Sequence, residues 1–355
     1  MYKISPIEYK RIERISPSQF SSLKNCAYKG IVVKAFDNKP LLTLSPNAYL
    51  GTVLHKVLEL ISSGIIKDEL QLDEVFNKEI ANLENKLIND GLQQFVPLQM
   101  NISDFGLKKI QLKKHLIITE NKYSKSINYS PEKWIESKDE KIGGRVDLII
   151  EADQFIEIID FKTGAITENI LDDTGEIFKE LKVEYREQLK LYAYLYYDRT
   201  GKFPNLLSIV DLRKQKFSLE FTFEECETIF EQAKKILDEI NNSVDTGIFR
   251  ANPNEANCKF CLYRPACSFY LNNLNHNYPF NDISGNIKKV KQFQNGNVSI
   301  FIEDLSDQYI TITGFSTNYY QYFENMTNEK ISVFNLKKEA ANMVYSVTRT
   351  TKFYE

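Results

Sequence analysis

The chain of 355 residues is 43% hydrophobic and 26% charged, proportions that exclude a disordered or low-complexity polymer and leave length for one large domain or two. Its formal net charge of −3 excludes a globally basic nucleic-acid binder, so any contact with DNA has to use a local basic groove or metal ions. No apolar run reaches the length of a membrane span.

In chain order, residues 1–10 lack the apolar core of a secretion signal. Five cysteines, an odd number, argue against a disulfide framework, and a cytoplasmic protein is expected. Cys26 closes the segment Ile15-Ser-Pro-Ser-Gln-Phe-Ser-Ser-Leu-Lys-Asn-Cys26. Residues 45–51 lead into a helix with Val53, Leu54, Val57, Leu58 and Ile61 at helical spacing, and His55 and Glu59 lie on it. Further helices are predicted over 68–116 on Leu70, Val75, Ile80, Leu83 and Leu87. Residues 123–135 are polar and contain Pro131, which predicts a loop entering a strand near Trp134. Runs rich in Ile and Val predict strands over 144–151 and 155–161. A helix is expected over 177–198, a hairpin over 205–223 turning at Arg213-Lys-Gln-Lys216, and a long amphipathic helix over 223–242. After it comes Cys258-Lys-Phe-Cys261-Leu-Tyr-Arg-Pro-Ala-Cys267.

From Asp282 the texture becomes β-like. An Asn295-Gly296 turn joins two apolar runs, and 309–313, 330–334 and 343–348 alternate apolar and polar residues. The expected division is therefore a first domain over 1–281 and a small all-β domain, OB-like in shape, over 282–355. Its aromatics (Phe293, Phe301, Tyr309, Phe315 and others) suit base stacking, although strand aromatics more often form core.

The chemistry is concentrated between the cysteines. Asp147 and Asp160 fall on neighbouring strands where both side chains can face one point, as hard oxygen ligands of Mg2+ or Mn2+ would. Lys162, two residues past Asp160, points to the same face and can position a water or neutralise charge developing on phosphorus. An ordinary Asp160–Lys162 surface pair is disfavoured by the apolar flanks Ile158, Ile159 and Phe161. Cys26, Cys258, Cys261 and Cys267 form a four-thiol set that suits either structural zinc or an iron–sulphur cluster. Cys226 is the odd one out, a buried free thiol. His115 and His276 have no motif around them.

Taken together, Gly51-Thr-Val-Leu-His55, Gly144-Arg-Val-Asp147, Asp160-Phe-Lys162-Thr-Gly164, Gln188-Leu-Lys-Leu-Tyr192 and the four cysteines resemble the PD-(D/E)XK nuclease superfamily, in its RecB-like branch with an iron–sulphur cluster. The resemblance spans roughly residues 15–270 and leaves the β-rich tail unexplained. It implies an α/β core of restriction-endonuclease type with helical additions. It further implies His55 as a metal ligand with Asp147 and Asp160, and Gln188 and Tyr192 at the DNA backbone or the scissile phosphate next to the metals. Arg145 and Arg186 are candidate phosphate contacts, although surface arginines usually carry no specific role. A [4Fe–4S] staple on Cys26, Cys258, Cys261 and Cys267 is implied in the same way. The expected activity is a Mg2+- or Mn2+-dependent DNA exonuclease or flap and single-strand nuclease of repair, recombination or defence. The chain has no Walker motif, so nucleotide-driven unwinding would need a helicase partner. The competing reading is a non-catalytic DNA-binding scaffold of a helicase complex.

Overall fold

Strand-forming runs at Gly143–Ala152 (β2) and Phe155–Lys162 (β3) pair antiparallel and form the centre of a five-stranded sheet of order β1-β2-β3-β6-β7. Its other strands are β1 (Ile127–Glu136), β6 (Leu206–Asp211) and β7 (Lys216–Leu219). Among the described residues of this sheet only β3 and β6 run parallel, and a parallel pair needs a long crossover. The chain supplies it with a hairpin, β4 (Thr167–Leu171) and β5 (Ile177–Leu181), followed by helix α7 (Val183–Thr200). The computed structural model describes residues 3–4, 6–118, 127–171, 177–274, 281–304 and 307–355. These divide into two units, Ile12–Lys24 with Ser45–Asn242, and Met1–Arg11 with Asn25–Leu44 and Ser243–Glu355.

The sheet belongs to the first unit, an α/β architecture. Helix α1 is Pro17–Asn25, and α2 (Ala27–Ala35) belongs to the second unit. Helix α3 (Pro46–Ser62) starts where Ser45 accepts a hydrogen bond from the Ala48 N–H, with Pro46 in its first turn. Its apolar stripe of Val53, Leu54, Val57, Leu58 and Ile61 packs into one cluster with Leu148, Ile159, Phe161 and Val210 of the sheet. Helices α4 (Glu69–Asn89), α5 (Leu98–Asn101) and α6 (Phe105–Lys113) add Leu72, Phe76, Leu87, Leu98 and Leu112 to that cluster. Helix α8 (Phe223–Thr246) buries Cys226, Phe230, Ala233, Leu237 and Ile240 at alternating steps of four and three, one face of a helix.

Two segments depart from expectation. Strand β1 begins at Ile127 and runs through Pro131, where a loop was expected. It is the edge strand of the sheet, the one place where proline's missing N–H is tolerated. Residues 177–181 form β5, where a helix was expected, because pairing with β4 overrides the helix propensity of that stretch. The helix starts at Val183, after Lys182 in extended geometry. Residues 123–126 lie outside the described residues.

In the second unit seven strands follow the order β12-β13-β10-β9-β8-β11-β14. They are β8 (Ile283–Gln292), β9 (Asn297–Asp304), β10 (Tyr309–Ser316), β11 (Lys330–Phe334), β12 (Lys337–Lys338), β13 (Val344–Ser346) and β14 (Lys352–Tyr354). Gly296, at φ +80°, makes the β8–β9 turn. The tail is all-β as expected, but not the expected OB-like barrel. Its strand order is open, with short β12 and β14 at the ends, and it includes a parallel pair, β10 with β13. Among the described residues its core is one face of Ile287, Val298, Ile300, Ile302, Ile312, Ile331 and Val333, with Phe323 from a short helix, α11 (Tyr320–Asn325).

The cysteine segment, with short helices α9 (Glu255–Cys258) and α10 (Ser268–Leu271), shares this unit with the tail. Asp282, where a separate domain was expected to open, is buried and joins the two. It accepts hydrogen bonds from Arg264 Nε at 2.6 Å, Tyr270 Oη at 2.7 Å and the Asn335 N–H at 2.8 Å. Arg264 also donates to the Cys261 carbonyl at 3.1 Å. Removing one partner of a buried pair leaves the other charge uncompensated. Asp282→Ala should therefore destabilise the protein by about 3–5 kcal/mol, read from denaturant unfolding. A loss below about 1 kcal/mol would show that water replaces the carboxylate.

Candidate active site

Strand register brings three carboxylates to one level. Pro131 faces Leu148 and Lys133 faces Val146, which leaves Glu132 opposite Asp147. The β2–β3 ladder ends at Leu148 opposite Ile159, so Asp160 follows one step on, beside Asp147. At that point the Phe161 N–H donates to Asp147 Oδ2 at 2.6 Å instead of to a main-chain carbonyl. Glu132 adopts φ +48°, the left-handed region a non-glycine residue seldom occupies, and it interrupts its own ladder.

Two clusters meet there. In the first, His55 Nε2 lies 3.2 Å from Asp147 Oδ2, and one ligand atom from each of His55, Glu132 and Asp147 fits within 4.8 Å of the other two. In the second, Asp160 Oδ1 accepts from Gln188 Nε2 at 2.9 Å, while Oδ2 is in ion-pair contact with Lys162 Nζ at 2.7 Å. Lys162 Nζ also donates to Gln188 Oε1 at 3.1 Å and sits 4.9 Å from the centre of the Tyr185 ring. The expected metal set of His55, Asp147 and Asp160 is thus divided. Glu132 stands with His55 and Asp147, whereas Asp160 is held by Lys162 and Gln188.

The electrostatics reflect crowding of negative charge. Burial raises the Asp160 pKa, Lys162 pulls it back and Asp147 raises it again, leaving it at about 6. Burial also raises Glu132, with Asp147 and Glu59 adding to the effect. Glu132 Oε1 is buried without a hydrogen-bond partner among the described residues. His55 is raised chiefly by its hydrogen bond to Asp147, against burial. Burial opposes the Lys162 charge, but Asp160 outweighs it, so the ammonium persists at neutral pH. An orphaned carboxylate oxygen, an imidazole and two further acids at one level are a donor set suited to a divalent cation.

The remaining expected residues take supporting places. Tyr192 is buried and donates to the Arg145 carbonyl at 2.8 Å, bearing on β2 and not on the open site. Gly144 makes room for it, since a Cβ there would come within 2.8 Å of Pro17 and 3.2 Å of the Tyr192 hydroxyl. Gly51 is less constrained, because a Cβ would meet only Thr163 Oγ1 at 3.4 Å. Glu59 pairs with Lys56, Arg186 with Glu180, and Arg145 lies 3.7 Å from Glu132. His115 is buried 3.1 Å from the Leu212 carbonyl, its pKa lowered by burial, and His276 lies outside the described residues. A cleft of about 640 Å³ opens beside the site, lined by Asn47, Gly51, His55, Lys108, Lys162 and Thr163 among others. Glu132 was not identified from sequence. Its segment read as a polar loop, and only the register with Asp147 reveals its place.

Within the second unit, Cys26, Cys258, Cys261 and Cys267 line one small cavity with Val32, Tyr263 and Tyr270. Burial and then neighbouring thiols push Cys267 up to about 12, and burial raises Cys258 and Cys261. Such a cavity favours thiolates only if a positively charged group sits among them. Cys226 is buried in the α8 stripe and takes no part in the cavity.

A family model described as the PD-(D/E)XK nuclease superfamily matches residues 14–268. Among solved structures, a candidate exonuclease from Eubacterium rectale aligns at 12% identity and a TM-score of 0.43, covering 75% of this chain and 90% of its own. No curated protein matches the chain.

The raised pKa values fix the sign of a pH effect. Asp160 contributes stability in full below its unfolded value near 3.8, and that contribution is lost as pH rises through about 6. Glu132 has the same sign, and His55 loses its contribution above its own raised value. A cation competes with these protons, so its stabilisation should grow with pH. Mn2+ should raise the melting temperature clearly at pH 8 and progressively less as pH falls through 6. In Glu132→Gln the apparent Mn2+ affinity at pH 8 should drop roughly tenfold or more, without loss of metal-free stability. An unchanged affinity in that variant excludes Glu132 from the cation site.

Proposed function

The chain belongs to the PD-(D/E)XK nuclease superfamily, and on that footing we propose that it is a divalent-metal-dependent deoxyribonuclease. The observation that carries this reading is the alignment of Glu132, Asp147 and Asp160 beside the Lys162 ammonium. His55, Glu132 and Asp147 would hold the cation, with Asp160 at its edge, and the imidazole favours Mn2+ alongside Mg2+. A bound cation supplies Lewis acidity at the phosphate and a water of lowered pKa. Lys162, kept charged by Asp160 and oriented by Gln188, faces the cleft where negative charge builds on the phosphorus oxygens. Lys108 adds a second cation on the cleft wall for the phosphate backbone. Tyr192 acts through β2 as a positioning residue. A scaffold without catalysis would have no use for three carboxylates whose charges are costly to desolvate.

The substrate we propose is DNA with free ends or single-stranded flaps, processed in repair, recombination or defence in the cytoplasm, with a helicase partner providing unwinding. A [4Fe–4S] cluster on Cys26, Cys258, Cys261 and Cys267 completes the reading.

Asp160→Ala and Lys162→Ala should each lower Mg2+- or Mn2+-dependent cleavage of end-labelled DNA by at least ~10²–10³-fold while the proteins stay folded. Near wild-type cleavage by folded Asp160→Ala would sink the assignment. Protein purified without oxygen should be brown, with iron and acid-labile sulphide at about four each per chain. Cys26→Ala should lose the colour and melt earlier, and Cys226→Ser should change neither. One zinc and no iron would replace the cluster with a zinc staple.

A further inference from the structure

We propose that the outward face of β8, β9 and β10 is a binding strip for single-stranded nucleic acid. Lysines would contact the phosphates, and Phe293, Phe301 and Tyr309 would stack on bases. The choice of partner rests on the nuclease reading above; the surface itself stands on its own geometry.

Register gathers the residues. Across the three strands, Lys289 faces Phe301, which faces Thr311, and one pleat away Glu303 faces Tyr309. Residues directly opposite or two apart share a face, so Phe301, Lys289, Lys291 and Tyr309 all point away from the buried Ile287, Ile300, Ile302 and Ile312. A bulge sharpens the effect. Ile287 pairs with Ile302 and Lys289 with Phe301, which leaves Lys288 as an extra residue. Both adjacent lysines are consequently exposed, where a regular strand would turn one of them inward.

Lysines and aromatics share this face with one carboxylate, Glu303, which pairs with Lys288 and is hydrogen-bonded by Tyr309. Lys289 Nζ lies 6.0 Å from the centre of the Phe301 ring, and Lys291 Nζ lies 4.8 Å from that of Phe293. Phe293 is 41% exposed and Tyr309 65%. None of the three aromatics belongs to the core of the unit, which is supplied by Phe315, Phe323 and Phe353. Lys288 pairs with Glu303 at 2.7 Å, but neither Lys289 nor Lys291 has a carboxylate within ion-pair distance among the described residues. β9 is paired on both sides, whereas β8 pairs with β11 only over Ile283–Asn286, and what the strip offers for recognition is its side chains. The exposed rings of Phe293 and Tyr309, the half-buried ring of Phe301 and two ammonium groups without a carboxylate partner among the described residues match a single strand, whose unpaired bases stack and whose phosphates need cations.

The test is fluorescence anisotropy of the full-length protein in EDTA with a labelled oligothymidine of about 20 nucleotides, longer than common single-strand site sizes. Phe301→Ala should weaken binding roughly 5- to 150-fold, the range for one stacked base, and Phe301→Trp should retain it. Lys289→Glu with Lys291→Glu should weaken binding and flatten the dependence of log Kd on log salt by ~1.4, two phosphate contacts' worth. Hydrolysis of bis(p-nitrophenyl) phosphate in Mn2+, which reports on the catalytic centre alone, should match wild type in all three variants. Affinities within twofold of wild type, or equal loss in Phe301→Trp, would overturn the strip. A wild-type protein that hydrolyses nothing yet binds oligothymidine through Phe301 would overturn the nuclease reading and leave the strip standing.

Discussion

Glu132, Asp147 and Asp160 occupy one level of three adjacent strands, and like charges directly opposite one another in a sheet repel. The core is arranged around that repulsion. Asp147 spends one oxygen on the Phe161 N–H and on His55, Asp160 is held between Lys162 and Gln188, and Glu132 is left with an unpaired oxygen. Burial, and after it the charge of Asp147, raises the pKa of both Asp160 and Glu132. A divalent cation from outside would supply the charge that three acids in line lack.

That arrangement depends on where the ladder stops. Had β2 and β3 continued to pair beyond Leu148 and Ile159, main-chain bonds would have closed the space in which the carboxylates meet. The Asp147 side chain takes up the Phe161 N–H in place of the ladder and satisfies a donor that would otherwise be orphaned. Helix α3 then sets His55 against Asp147 while its other face packs on Leu148 and Phe161. Position at the site and burial in the core are thus fixed by the same helix.

Asp147, Asp160 and Lys162 were legible in the sequence because strand alternation alone sends them to one face, and the apolar residues between them mark the strands. Glu132 was not. Pro131 made its strand read as a loop, and its meaning depends on cross-strand register, a long-range property that no local pattern carries. The helix expected over 177–181 failed for a related reason, since its residues favour a helix and only the pairing with β4 makes them a strand. In the tail the strands themselves were visible in the alternation. Their order was not, because nothing local brings β11 beside β8 or β13 parallel to β10.

The four cysteines show how chain path limits what a staple can do. Residues 25–44 and 243–355 belong to one unit while most of the chain between them builds the other, so a cluster joining Cys26 to the later cysteines would close a loop that contains the proposed catalytic core. Loop-closure entropy grows only with the logarithm of length, so enclosing so many residues adds little beyond a loop of moderate size. What a cluster there would add is local. The segment from Cys258 to Cys267 has only short helical turns, and its fixed points are the Leu42 N–H bond to the Leu262 carbonyl and the Arg264–Asp282 pair. Arg264 donates to the carbonyl of Cys261 and to Asp282 at the start of β8, so the cysteine loop and the β-rich tail are held by one guanidinium. Order in the loop and order in the tail are therefore coupled through a buried charge pair, and disturbing either should be felt by the other.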